Sequence, residues 1–261
     1  ELLDWLATTF IDSGWDVKQM QRTIVTSATY RQSSAVTPEL LERDPENRLL
    51  ARGTRVRLPA HMIRDQALAV SGLLTERIGG PSVGPYQPDG LWDDIVERGQ
   101  VYRRSQGDDL YRRSLYTFQK RTRGPPAMLT FDSSTREVHI LSPTRTNTPL
   151  QALNLMNDVT YAEAARALAE RAMAEGTTIA ESVSYMYRLA TAHEPEAAAR
   201  SILVDAFAVH LDRYRADRAG ALLLVSAGDS QRDETLDIAE LAAYQMVASL
   251  ILNLDGTITR N

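Results

Sequence analysis

Residues 148–176 read TPLQALNLMNDVTYAEAARALAERAMAEG, and this stretch decides the fold class. Thr148-Pro149 is a helix start, because proline fits the first turn, where its missing N–H costs nothing. The pattern predicts a short helix over Pro149 to Asn157 and an Ala-rich one over Val159 to Glu175, stopped by Gly176. Apolar residues recur at helical spacing from there to the end of the chain. Ile179, Val183, Met186 and Ala190 form one stripe. Pro195 opens a longer helix with Ile202, Leu203, Ala206 and Val209 inward. Leu222 to Val225 is a short apolar helix, and Leu241, Tyr244, Val247 and Ile251 form the last stripe.

Upstream, Leu2, Leu3, Leu6 and Phe10 already lie on one helical face, and no capping residue precedes them. The chain is therefore expected to be a piece of a longer multidomain protein. Gly14 and Trp15 make a corner, and Asp16 caps a second helix with Gln19 as its reciprocal partner. Val17, Met20, Ile24 and Val25 give that helix its apolar face. Ser33 to Pro38 reads as a loop, and Asp44-Pro45 as the start of a short helix ended by Gly53. Pro59 opens the next helix, with Met62, Ile63, Ala67, Val70 and Leu74 inward and Gly79-Gly80 as its stop. The middle differs in kind, since residues 79–149 hold 7 of the 11 Pro and 7 of the 14 Gly. Ser114 to Gln119 and Val138 to Leu141 read as short strands. The expectation is one mainly α, irregular multi-helix domain over residues 1–261. It is helical over 1–78, irregular over 79–148 with a small β element, and helical over 149–261.

Composition removes several function classes. The chain has 261 residues, a net charge of −5 and no cysteine. Disulfides, thiolate metal sites, Cys nucleophiles and covalent attachment of c-type haem are therefore excluded. The longest apolar run, Leu241 to Leu254, is broken by Gln245, Ser249 and Asn253, short of the ~18 residues that a membrane span needs. Residues 1–130 carry 18 basic and 16 acidic groups and residues 131–261 carry 11 and 18, so neither half is basic enough for a nucleic-acid binder. No Gly-x-Ser-x-Gly, Walker loop, dinucleotide fingerprint or His-Glu-x-x-His is present. Asp229, Gln231, Asp233 and Glu240 only faintly imitate a calcium loop, because Glu234 stands where the tight turn needs Gly. No metal site is expected.

Two groups of residues carry candidate chemistry. Arg98, Arg103, Arg104, Arg112, Arg113, Lys120, Arg121 and Arg123 form a basic cluster interleaved with Tyr102, Tyr111, Tyr116 and Phe118. It can take an anionic polymer by charge and stacking, or it can tie the middle to the acidic C-terminal half. Phe131 to Gln151 is the second. Asp132 and Glu137 are candidate catalytic carboxylates for general acid/base work. Arg121, Arg136, His139, Arg145, Asn147 and Gln151 are candidate ligand-binding groups. In the structural account of the same run, Thr146, Asn147 or Thr148 caps the following helix, while Arg136 and Arg145 pair with Asp132 or Glu137.

Several segments occur in an order that resembles a known family. They are Ile24–Ser33 (IVTSATYRQS), Asp44–Arg48 (DPENR), Gly107–Phe118 (GDDLYRRSLYTF), Phe131–Glu137 (FDSSTRE), Thr146–Leu153 (TNTPLQAL) and Ser249–Asp255 (SLILNLD). Together they resemble domain of unknown function 1553, a planctomycete-associated domain at the C-terminal end of proteins that also carry c-type cytochrome domains. His139 stands where members of that family often have Cys. The resemblance implies an extracytoplasmic setting, periplasmic or cell-surface, with c-type haem only in a separate domain and the preceding domains of the polypeptide as partners. It implies no reaction. The expected function is a haem-free, non-catalytic docking or ligand-binding module of an exported cytochrome-c-domain-containing protein. The alternative is an enzyme acting on anionic polysaccharide through Asp132 and Glu137. Nucleic acid is not expected as a partner, and an axial haem ligand lent by His61, His139, His193 or His210 is the less favoured use of the histidines.

Overall fold

The computed structural model describes residues 1–91, 102–120, 124–135, 140–141 and 145–260. The chain divides into two compact units, one of Glu1–Val56 with the last residues from Thr259, the other of Arg57–Ile258. The architecture is mainly α-helical.

In the first unit, α1 (Leu2–Asp12) and α2 (Val17–Thr26) form a helical hairpin around Gly14 and Trp15, both at positive φ. The Asp16 carboxylate accepts the Gln19 N–H at 2.9 Å, the cap that the sequence predicts. The loop from Ser33 is present, but the helix precedes Asp44 and does not start there. The helix is α3 (Pro38–Arg43), with Thr37 as its cap, and Asp44 lies past its end. Asp44 accepts two N–H groups that follow it in sequence, so its carboxylate ties a turn and starts no helix.

The second unit is built around α11 (Ile238–Leu252). This helix buries residues on every face, among them Leu241, Ala242, Ala243, Gln245, Val247, Ala248 and Ile251. An all-round apolar helix is the mark of a core element. Around it pack α6 (Pro149–Asn157), α7 (Val159–Glu175), α8 (Ile179–Thr191), α9 (Ala197–Ala216) and α10 (Arg218–Val225). Asp158 caps α7, Thr178 and Glu181 form a reciprocal capping box on α8, and Asp237 caps α11. α4 (Ala60–Ser71) packs on α7 and ends at Gly72, seven residues before the predicted stop.

The middle contains two 3₁₀ turns, η1 (Gly107–Tyr111) and η2 (Ser114–Tyr116), and a one-turn helix, α5 (Pro126–Thr130). The strand predicted over Ser114 to Gln119 is therefore mostly a turn. Its β character is a single parallel bridge, where the Val83 N–H donates to Tyr116 O and the Phe118 N–H to Val83 O, both at 2.8 Å. Residues 138 and 139 of the second predicted strand lie outside the described residues. The two-residue strands β1 (Val56–Arg57) and β2 (Thr259–Arg260), which pair, lie outside the middle.

α7 packs against α11, α4 and α8 with Ala164, Ala165, Ala169 and Ala172 all fully buried. Ala165→Leu should therefore destabilise the fold by about 1–3 kcal/mol through overpacking. Urea denaturation checks this, as a lower midpoint at unchanged slope.

Candidate functional site

Of the residues predicted to bind or react, the structure joins Asp132, Asn147 and Gln151 in one hydrogen-bonded network. Asp132 follows α5 at φ 59, a left-handed conformation that Asp tolerates. Its carboxylate accepts the Thr146 N–H at 2.6 Å and the Thr146 hydroxyl at 2.9 Å. Gln151, 1% exposed, donates to Thr130 O at 3.0 Å and to the Thr146 hydroxyl at 3.1 Å. Its Oε1 accepts from the Arg57 guanidinium at 2.6 Å, and the other Arg57 terminal nitrogen donates to Asn147 Oδ1 at 2.9 Å. The arrangement stitches α5, the run before α6 and Arg57 together, and it occupies the Asp132 oxygens. Thr148 holds the N-cap position of α6 but makes no side-chain capping bond. Arg145 is exposed and makes no ion pair among the described residues. Arg121, Arg136, Glu137 and His139 lie outside the described residues.

The basic cluster is dispersed. Arg112 is fully buried, stacks 3.8 Å over the Tyr116 ring and donates to Pro81 O, Arg77 O and Gly79 O. Arg104 pairs with Asp229 at 2.9 Å and lies over the Tyr86 ring, a tie to the acidic C-terminal half. Arg113 approaches Glu76 at 3.9 Å, and Arg103 is exposed. Arg98 and Arg123 lie outside the described residues.

Sequence reasoning passed over three buried charges. Arg64 of α4, 5% exposed, donates to Leu110 O and Arg112 O at 2.9 Å and to the Ser114 hydroxyl at 3.2 Å. Burial lowers its pKa, against the opposing pull of Asp65. Glu163 of α7 is fully buried and accepts the Tyr111 hydroxyl at 2.8 Å and the Ser230 N–H at 2.6 Å. Burial, with Glu163 beside it, pushes the Tyr111 phenol up to about 12. Gly228 must be glycine, because a Cβ there would fall 2.2 Å from the Glu163 carboxyl carbon. Arg166, one turn on, donates to Glu170 and to Ser230 O at 2.8 Å. The only available signal was a Glu and an Arg among alanines on both sides of a helix, a pattern that also fits a solvated face.

Two surfaces in the first unit stand apart from these internal ties. None of the residues of α1 to α3 is buried, and Leu2, Leu3, Trp5, Ile11, Trp15 and Val17 are all more than half exposed. A hollow of about 700 Å³ lies between residues 33–36 and the loop over 45–55.

Comparison with known families matches residues 1–207 to the family described as "Protein of unknown function (DUF1553)". The chain belongs to this family. The matched part of this DUF1553 chain includes the hairpin, the hollow and the Asp132 network and ends inside α9, so the closing segment Ser249–Asp255 falls beyond it. Neither the curated proteins nor the solved structures contain a match.

No group of three or more His, Asp or Glu suited to a metal ion occurs among the described residues. The thiols that covalent haem needs are absent from the chain. His61 and His193 are exposed. His210 is half-buried beside Tyr214, and burial, aided by Arg213, lowers its pKa below 6.5. A folded value below the unfolded one means that the unfolded chain binds more protons between the two. Stability should therefore fall as pH drops from 6.5 through the folded value. Thermal melts at pH 7 and pH 5 check this, with the slope reduced in His210→Asn.

Proposed function

We propose that this DUF1553 domain is a haem-free, non-catalytic docking module, and that the α1–α2 hairpin is its docking face. The observation that carries the reading is the exposure of Leu3 at 77% and Trp5 at 53% on α1 and of Trp15 at 65% in the corner, in a hairpin whose two helices have no buried residue. Isolated helices of 10 and 11 residues are marginal in water, and a pair gains its stability from whatever covers its apolar face. Tryptophan is the residue type that most often dominates a protein interface. The face is mildly acidic, with Glu1, Asp4, Asp12 and Asp16 against Lys18 and Arg22, which disfavours an anionic membrane surface as its cover.

The partner in this proposal is an adjoining domain of the same polypeptide, in an exported protein whose c-type haem sits in another domain. That setting follows from the family resemblance. The bonds that the Asp132 carboxylate accepts from the Thr146 N–H and hydroxyl support a structural role for the residue nominated as a catalyst.

Hydrogen exchange on the full-length protein tests the reading. Amides of α1 and α2 should exchange at least tenfold more slowly there than in the isolated chain, and Trp5→Ala with Trp15→Ala should abolish the difference. Equal exchange in the two contexts would remove the docking assignment.

A further inference from the structure

The hollow in the first unit is bounded by a loop that spends its polar groups on its own shape. Asp44, 6% exposed, accepts the N–H groups of Arg48 at 2.8 Å and Leu49 at 2.7 Å. The Arg52 guanidinium donates to Asp44 O at 2.9 Å and Pro45 O at 2.8 Å. The Asn47 amide bonds the Arg52 backbone in both directions. A buried carboxylate, a guanidinium and an amide thus fix about ten residues in one conformation. Packing gives no reason for this, because Leu49 and Leu50, at the loop's tip, are 77% and 55% exposed.

Leu50 also stands at φ 53, a left-handed conformation that is strained for a residue with a Cβ. The strain serves no core contact; it sets the Leu50 side chain in the wall of the hollow. The opposite wall is equally specified. The Gly53 N–H donates to Ser33 O at 2.8 Å, and a Cβ at Gly53 would fall 2.6 Å from Gln32 O. Only glycine lets the two segments approach so closely.

The wall composition selects the ligand. Glu46, Arg52 and Arg55 in its lining give the hollow both signs of charge, so a strongly charged ligand meets repulsion as well as attraction. The Ser34 and Thr54 hydroxyls and the Glu46 carboxylate have no hydrogen-bond partner among the described residues, and a wholly apolar ligand would strip them of water without replacement. Val36, Leu50 and Pro45 supply apolar surface between them. A ligand that alternates hydroxyl and C–H groups meets all three conditions.

We propose that this hollow is a binding site for a neutral saccharide. The Glu46 carboxylate accepts from neighbouring sugar hydroxyls, Ser34 and Thr54 exchange hydrogen bonds with others, and Leu50 with Val36 bears on the C–H face. The volume of about 700 Å³ lies within the ordinary range of ligand pockets and suits two or more sugar units. The site is independent of the hairpin and of the docking assignment.

The test is an NMR titration of the chain with neutral tetrasaccharides of β-1,4-glucose, β-1,4-mannose and β-1,3-glucose, beside a tetra-uronide of equal length. Saturable shifts confined to residues 33–36 and 45–55 are expected with a neutral member. Glu46→Gln should weaken binding at least tenfold, as should Ser34→Ala with Thr54→Val. These groups make no internal hydrogen bond, so the fold should be unchanged. Leu223→Ser on α10 serves as the neutral control. No saturable binding to any neutral member, equal affinity in the Ser34/Thr54 variant, or tighter binding of the uronide would each overturn the proposal.

Discussion

The middle of this protein depends on guanidinium groups that bind backbone carbonyls. Arg64 reaches from α4 to Leu110 O and Arg112 O, and Arg112 reaches from there to the carbonyls of Arg77, Gly79 and Pro81. The two residues form a relay from a helix of the core into chain that has almost no regular ladder. Each guanidinium offers five donors in a fixed fork, so one side chain can gather acceptors from several turns at once. Irregular backbone needs such partners, since every carbonyl without one costs free energy when water is excluded. Both side chains are almost fully buried, and the nearest carboxylate to Arg64, that of Asp65, stands 3.9 Å away. Carbonyl dipoles, with the Tyr116 ring under Arg112, therefore carry much of the compensation for burying the charge.

That mechanism explains what the amino-acid order shows and what it conceals. The helices from Pro149 onward are legible because periodicity, caps and prolines are local signals. Asp16 caps α2 as its position suggests, and Thr178 with Glu181 caps α8. Guanidinium–carbonyl bonds join residues 31 to 48 positions apart and leave no period, so Ser114 to Gln119 reads as a strand when it is a turn with one β-bridge. Asp44-Pro45 misleads for a related reason. Its carboxylate caps N–H groups in either a helix or a tight loop, and the deciding partner, Arg52, lies eight residues away.

The candidate site follows the same division. Asp132, Asn147 and Gln151 are brought together in one hydrogen-bonded network, and α6 shows how far tertiary demand can invert a pattern. On that helix Gln151 is buried while Leu150 and Leu153 stand more than half exposed. Glu163 and Arg166 were hidden by the opposite effect, since charged residues in an Ala-rich helix read as a solvated face. Many polar groups of the larger unit hold it together, and the first unit presents two open surfaces. They are an apolar hairpin and a hollow in which Ser34, Thr54 and Glu46 make no side-chain hydrogen bond among the described residues.

Amide hydrogen exchange in Arg112→Met and Arg64→Met tests the relay most directly. The amides of Thr75, Val83 and Phe118 donate to Tyr111, Tyr116 and Val83 in the wild-type fold. In either variant they should lose protection by at least tenfold while those of α7 and α11 keep theirs, because only the middle depends on the guanidinium groups. Wild-type protection at Thr75, Val83 and Phe118 in both variants would contradict the account.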